Sequence, residues 1–369
     1  MSLGRSPGRP RRAQGRTGRS QDPPGRSPGR AGRSQDPPGR WLIAAVAGVP
    51  GAGLSGLAAA GATRLAYSVL NRYPPGGPKA WSRSNHRGEP VTLLEGPAVA
   101  VGAVAGALVQ AGLRSAAEPD AGRAAWRAAA AITIAGAGGA AFGAYDDLAG
   151  SSDRRGFRGH LGALRQGEVT TGAVKLAGIG ATGMATAALS GGNAADFIIN
   201  TGLVAGFANL LNLFDLRPGR AIKAAVASGA LVVLGGSLGR AVSDAAADTA
   251  GLAGTAVAPP LAAALALLPE DLGERAMLGD AGANALGATI GAAACGLPRP
   301  ARVALLAGTA WLNAASEKVS FTAVIERTPA LRRLDLLGRR PASPPPPIVI
   351  PVQRGADQAA DTDIAPPRE

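Results

Sequence analysis

Acidic side chains are scarce between Trp41 and about Phe321, and their placement is patterned. Asp146 and Asp147 close one apolar stretch, in Phe142-Gly-Ala-Tyr-Asp-Asp147, and Asp215 closes another, in Asn209-Leu-Leu-Asn212-Leu-Phe-Asp215. Asp280 opens a third, in Met277-Leu-Gly-Asp280-Ala-Gly282. Carboxylates at the ends of several apolar helices can converge on a hard divalent cation. Mg²⁺ prefers oxygen ligands, keeps several waters and is typically shared with substrate phosphates. Two adjacent aspartates also repel, and a cation beside them relieves that repulsion. One such aspartate alone is better read as a solvated helix end. Three sites, each wrapped in Gly or Asn, favour a shared pocket.

Basic loops flank the first two sites. They run Asp153-Arg-Arg-Gly-Phe-Arg158-Gly-His160 and Arg217-Pro-Gly-Arg220-Ala-Ile-Lys223. Guanidinium forks bind phosphate bidentately, and glycine lets backbone N–H groups approach an anion. The same charges also suit a membrane topology signal, and His160 reads as a proton shuttle or as an ordinary loop histidine. Asn85-His86-Arg87-Gly88 carries the same ambiguity. Lys175 stands just inside an apolar stretch, as a phosphate contact or as a snorkelling lysine. A single cysteine, Cys295, and two histidines exclude a disulfide framework and a Cys- or His-rich metal site. Gly51-Ala-Gly53-Leu-Ser-Gly56 matches a dinucleotide-binding fingerprint, but no Asp or Glu follows before Gly88 to hold a ribose.

The elements that must position these groups are apolar and long. Of 369 residues, 46% are hydrophobic, and a bilayer core needs about 20 apolar residues per helix. Candidate spans are 41–66, 91–112, 125–145, 170–190, 194–214, 221–239, 250–268, 282–297 and 301–319. The expectation is therefore an all-α, polytopic integral membrane bundle of nine or ten helices, occupying residues 41–340. Its Ala- and Gly-rich faces suit close helix packing and would permit a homodimer. If the spans alternate, one set of connections holds 18 Lys and Arg against 5 in the other, which places the motif loops in the cytoplasm. Residues 1–40 carry ten of the 38 Lys and Arg and repeat Gly-Arg-Ser-Gln-Asp-Pro-Pro-Gly-Arg. That arm lies on the opposite side from the rule. Residues 1–40 and the Pro-rich 341–369 read as disordered tails. No aromatic interleaves the basic arm, so a specific nucleic-acid role is not expected.

Together the three acidic motifs resemble those of the polyprenyl-phosphate N-acetylhexosamine-1-phosphate transferases. This superfamily includes phospho-N-acetylmuramoyl-pentapeptide transferase and is also called glycosyltransferase family 4. Asp146-Asp147, Asn212-Leu-Phe-Asp215 and Gly279-Asp280-Ala-Gly282, followed by Leu286-Gly287, carry the resemblance, which covers about residues 41–340. It implies a plasma-membrane enzyme of cell-wall or other envelope glycan synthesis that moves a sugar phosphate from a UDP-sugar to polyprenyl phosphate, with Mg²⁺. By the same resemblance Asp146, Asp147 and Asp280 are catalytic, and Asp280, Asp147 and Asp215 bind the metal. Asn209, Asn212, Asp215, Lys175, Arg217, Arg220 and His160 would then hold substrate. The chain departs from the family at Gly150, Leu216 and Pro218, where the family carries Lys, Gly and Asp, and no histidine follows His160. Those departures leave open a catalytically degenerate relative that binds lipid phosphate or scaffolds a complex. A transporter is a third reading, resting only on Arg64, Arg127 and Lys175 near span ends.

Overall fold

The computed structural model describes residues 52–117, 120, 122–149, 166, 169–242 and 253–341. Both tails, His160 and the Asp153–Arg158 loop lie outside the described residues. Eleven α-helices, one turn of 3-10 helix (Pro78–Trp81) and one short hairpin are the regular elements among the described residues. Helices α1 (Ala52–Arg72), α2 (Glu95–Ala117), α3 (Gly122–Ala149), α4 (Thr171–Ser190) and α5 (Ala194–Phe214) come first. They are followed by α6 (Arg220–Val242), α7 (Ala258–Leu272), α8 (Gly279–Ala294) and α9 (Arg299–Ser316). Two short helices, α10 (Phe321–Arg327) and α11 (Pro329–Leu336), complete the order. Between α1 and α2, β1 (Ser82–Ser84) pairs antiparallel with β2 (Pro90–Thr92), a hairpin the all-helical expectation did not contain.

Helix ends follow local chemistry. Asn193 and Asp196 form a reciprocal capping box at the start of α5, and the Thr170 hydroxyl accepts from Ala173 N–H at the start of α4. The dinucleotide-like glycines fall in or just before the continuous helix α1, with Ser55 and Gly56 buried.

The packing is that of a membrane protein. Much of the interior is alanine, from Ala59 and Ala98 to Ala288 and Ala294, while Leu57, Ile198, Leu234 and Trp311 face outward. In water such outward apolar side chains would aggregate. In lipid they are solvated, and small residues inside let helix backbones approach. Six segments are long and apolar enough to cross a bilayer: Glu95–Ala117, Gly122–Ala149, Thr171–Ser190, Ala194–Phe214, Arg220–Leu238 and Ala253–Leu272. The protein is thus a helical, multi-pass membrane bundle. Of the remaining expected spans, 282–297 and 301–319 coincide with α8 and α9, and 41–66 overlaps α1 from Ala52 onward; these helices fall below that length or apolarity.

Helix α8 is the axis. It packs against α2, α3, α5 and α6, and all of it except Asp280 is buried. At 16 residues it is about 24 Å long, less than the roughly 30 Å hydrocarbon layer. Helix α3 lies close against it because Gly143 has no side chain: a Cβ there would collide with the backbone of Asp280 and Ala281. That contact fixes the distance between the first and third acidic motifs.

Candidate functional site

Antiparallel succession of the helices brings the ends of α1, α3, α5 and α7 to the same end of the bundle as the starts of α2, α4, α6 and α8. Asp146 and Asp147 arrive at the end of α3, Lys175 in the second turn of α4, Asp215 just after α5, and Asp280 in the first turn of α8. Gly279, at φ +61°, supplies the left-handed turn that starts α8 beside Asp147.

The Lys175 ammonium sits between two carboxylates. Its Nζ lies 2.9 Å from Asp146 Oδ2 and 2.5 Å from Asp280 Oδ2. Asp147 has a different task. Its Oδ1 accepts from Asp280 N–H at 3.1 Å and its Oδ2 accepts from Ala281 N–H at 2.9 Å, so both oxygens cap α8. Arg83, from β1, donates to the Asp147 carbonyl and ties the hairpin to the end of α3. Asp147 therefore positions Asp280 rather than facing open space.

Asp215 stands at the same acidic end. Burial raises its carboxyl well above the usual carboxylate range, and the charges of Asp271, Asp280 and Asp147 raise it further, against one backbone hydrogen bond from Gly279. Sequence reading did not single out two further carboxylates here. Glu95 is fully buried with both oxygens unpartnered, and Asp271 is buried with Oδ2 unpartnered. Glu95 begins an apolar helix, and Asp271 lies in the charged last turn of α7, so neither stood out by type or spacing.

A cavity of about 280 Å³ opens beside this end, lined by Asn85, His86, Asp215, Arg217, Asp271 and Glu274 among others. Glu274 is the one non-glycine residue at positive φ among the described residues, at +56°. Such a backbone is strained and persists only when side-chain contacts fix it. Here they do. Arg87 Nε lies 2.9 Å from Oε1, and Asn85 Nδ2 donates to Oε2 at 2.8 Å. His86 is held below its usual range by burial and by Arg217, Arg339 and Arg87, with Glu274 opposing.

The other expected substrate groups are placed differently. Asn209 donates to Asn313 Oδ1 at 2.6 Å and belongs to the α5–α9 contact. Asn212 is half-buried, one turn before Asp215, whose N–H bonds its carbonyl at 3.2 Å. Arg217 lines the cavity. Arg220 is buried and forked onto Asp335, with Nε–Oδ1 at 2.7 Å and Nη2–Oδ2 at 3.1 Å, and its Nη1 donates to Thr322. The guanidinium read as a phosphate fork is engaged by a carboxylate of α11. Lys223 caps the same helix, donating to the carbonyls of Asp335 and Leu337.

For Mg²⁺ the donor type fits, since hard carboxylate oxygens gather here, but the buried oxygens without hydrogen-bond partners belong to Glu95, Glu270, Asp271 and Glu274 rather than to Asp146, Asp215 or Asp280. The geometry is not preformed: among the described residues no three His, Cys, Asp or Glu side chains converge as an ion-holding group.

Fold and packing define a multi-pass helical membrane protein with an acidic polar end. Compared with protein-family models, curated proteins and solved structures, the chain finds no match.

Proposed function

We propose that this protein is a membrane phosphoglycosyl transferase that moves a sugar-1-phosphate from a UDP-sugar to polyprenyl phosphate, with its acidic end on the cytoplasmic side of the plasma membrane. One observation carries the proposal. Asp146, Asp147, Lys175 and Asp280, spread over more than a hundred residues of sequence, meet through direct hydrogen bonds and ion pairs. Asp215 interacts electrostatically with Asp147 and Asp280 at the same end.

In this reading Asp146 and Asp280, with Asp215 beside them, would hold Mg²⁺. When bound, the ion would offset negative charge on a diphosphate. Lys175 then passes from the carboxylates to a phosphate oxygen, as a strongly hydrated point charge can. Asp147 keeps α8, and so Asp280, in register. A lipid phosphate oxygen attacks the sugar-bearing phosphorus of the UDP-sugar; a P–O bond forms, the bridging P–O bond breaks, and UMP leaves with the electron pair. The cavity beside Asp215 would take the nucleotide-sugar, and the surrounding lipid would deliver the acceptor.

The test is direct. Purified protein, polyprenyl phosphate and radiolabelled UDP-sugars should give lipid-linked product and UMP, with activity lost on chelation and restored by Mg²⁺. Asp280→Asn should lower the rate by about 100-fold or more. Specific observations favour a second reading, a lipid-phosphate-binding protein without turnover: Lys175 already pairs with both Asp146 and Asp280, and Arg220 is engaged by Asp335. Saturable polyprenyl phosphate binding without product across a broad panel of nucleotide-sugars would establish that reading instead.

A further inference from the structure

The opposite end of the bundle holds a feature the aspartate chemistry does not use. A cavity of about 930 Å³ opens among α3, α4, α8 and the residues just before α7, with Arg123, Trp126, Arg127 and Ser190, and one carboxylate, Asp120, toward the helix ends. Deeper in, the wall is Ile132 and alanines, including Ala292 and Ala293 of the central helix. A small second hollow shares Ala128, Ile132 and Ala256 with it and is lined by Gln110 and Arg114 of α2. There the Nη1 of Arg114 is buried without a hydrogen-bond partner. Arg123 and Arg127 lie one helical turn apart, with Trp126 beside them 47% exposed.

These groups ask for two chemistries at once. A buried guanidinium N–H without a partner is costly, and a phosphate oxygen satisfies it with a charge-assisted bond. An alanine-lined hollow in a bilayer is filled by hydrocarbon, not by a hydrated ion. Free phosphate would leave the alanine wall unfilled, and a neutral chain would leave Arg114 Nη1 without a partner. Arginine and tryptophan at a helix end also mark the depth where lipid headgroups sit. Because the cavity reaches α8, it lies between helices rather than on the bundle's outer surface.

We propose that this cavity is a binding site for one anionic glycerophospholipid. Its phosphate lies among Arg114, Arg123 and Arg127, and an acyl chain lies along Ala128, Ile132 and Ala292. The site is independent of the transferase reading, since it shares no residue with the aspartate end.

The experiment uses the full chain in nanodiscs of mixed phosphatidylglycerol and phosphatidylcholine, followed by mild extraction and native mass spectrometry. Wild-type protein should retain one phosphatidylglycerol per chain in preference to phosphatidylcholine. Arg114→Gln, Arg123→Gln and Arg127→Gln should each weaken that preference by about fivefold. Ala128→Phe, which keeps every arginine and fills the hollow, should lower retention of phosphatidylglycerol as well. Soluble glycerol phosphate should not raise the thermal midpoint, whereas phosphatidylglycerol should. Equal retention of both lipids, undiminished retention in the arginine variants, or equal protection by glycerol phosphate would each overturn the proposal.

Discussion

Lys175 shows what residue type reveals and what it hides. From sequence alone it was equally a phosphate contact or a snorkelling side chain. Its partners, Asp146 and Asp280, are 29 and 105 residues away, and only the register of α3, α4 and α8 brings them to one ammonium. The aspartates themselves were legible because carboxylates are so rare in the apolar core. Removing the ammonium should expose that pairing. Lys175→Met leaves two partly buried carboxylates without a cation, and the cost of breaking such a pair is roughly 3 kcal/mol. We expect a lowered thermal midpoint in detergent at low metal and recovery on adding Mg²⁺, read by intrinsic fluorescence. A midpoint that ignores Mg²⁺ would mean the carboxylates do not accept the ion. Arg220 is the opposite lesson. Its fork was read for phosphate, but its partner Asp335 lies 115 residues on, in a short amphipathic helix whose docking no local pattern announces.

That helix, α11, is an element held by charge rather than by apolar packing. Asp335 binds Arg220 and, at 2.8 Å, Arg339; Arg340 pairs with Glu89 at 2.6 Å; Arg87 donates to the carbonyls of Arg340 and Pro341. The contacts fasten the chain after α11 to the loop of the hairpin and to α6, around the mouth of the Asp215 cavity. Burial alone would raise the Asp335 carboxyl, but the hydrogen bonds and charge of Arg220, with Arg339 and Lys223, hold it below its usual range. The sign follows. Its contribution is fully present above the unfolded carboxylate value of about 4 and fades as pH falls through the lower folded value. Asp335→Asn should therefore make the Pro329–Leu336 segment more susceptible to protease at neutral pH, while the difference from wild type shrinks in acid. An unchanged difference between neutral and acidic pH would remove the ion pair as the cause. The hairpin escaped sequence reading because β1 and β2 are three residues each, too short for alternation to register, and are closed by the Asn85 side chain bonding Arg87 and Glu89 N–H.

For the whole molecule, six of the nine expected spans fall on long apolar helices to within a few residues, since apolar runs and their breaks are local properties of the chain. Which helix becomes the axis was not. Helix α8 is neither the longest nor the most apolar; it is central because its Ala and Gly faces admit backbones from several sides. The alternation of ends is open to a clean measurement, because the single native thiol, Cys295, is buried. Ser84→Cys and Ser320→Cys should react with an impermeant maleimide from one side of sealed vesicles, and Ser190→Cys from the other. Labelling of all three from one side would break the bundle's assignment to a membrane.

The brevity of the central rod has a consequence of its own. Buried within a layer about 30 Å thick, a core element of about 24 Å cannot carry both of its tips to the water boundary. At least one tip therefore stops short of the boundary, and Asp280 marks one of the two. Were that tip the recessed one, the lipid phosphate and the nucleotide-sugar of the proposed transfer would meet below the headgroup level, each still in touch with its own solvent.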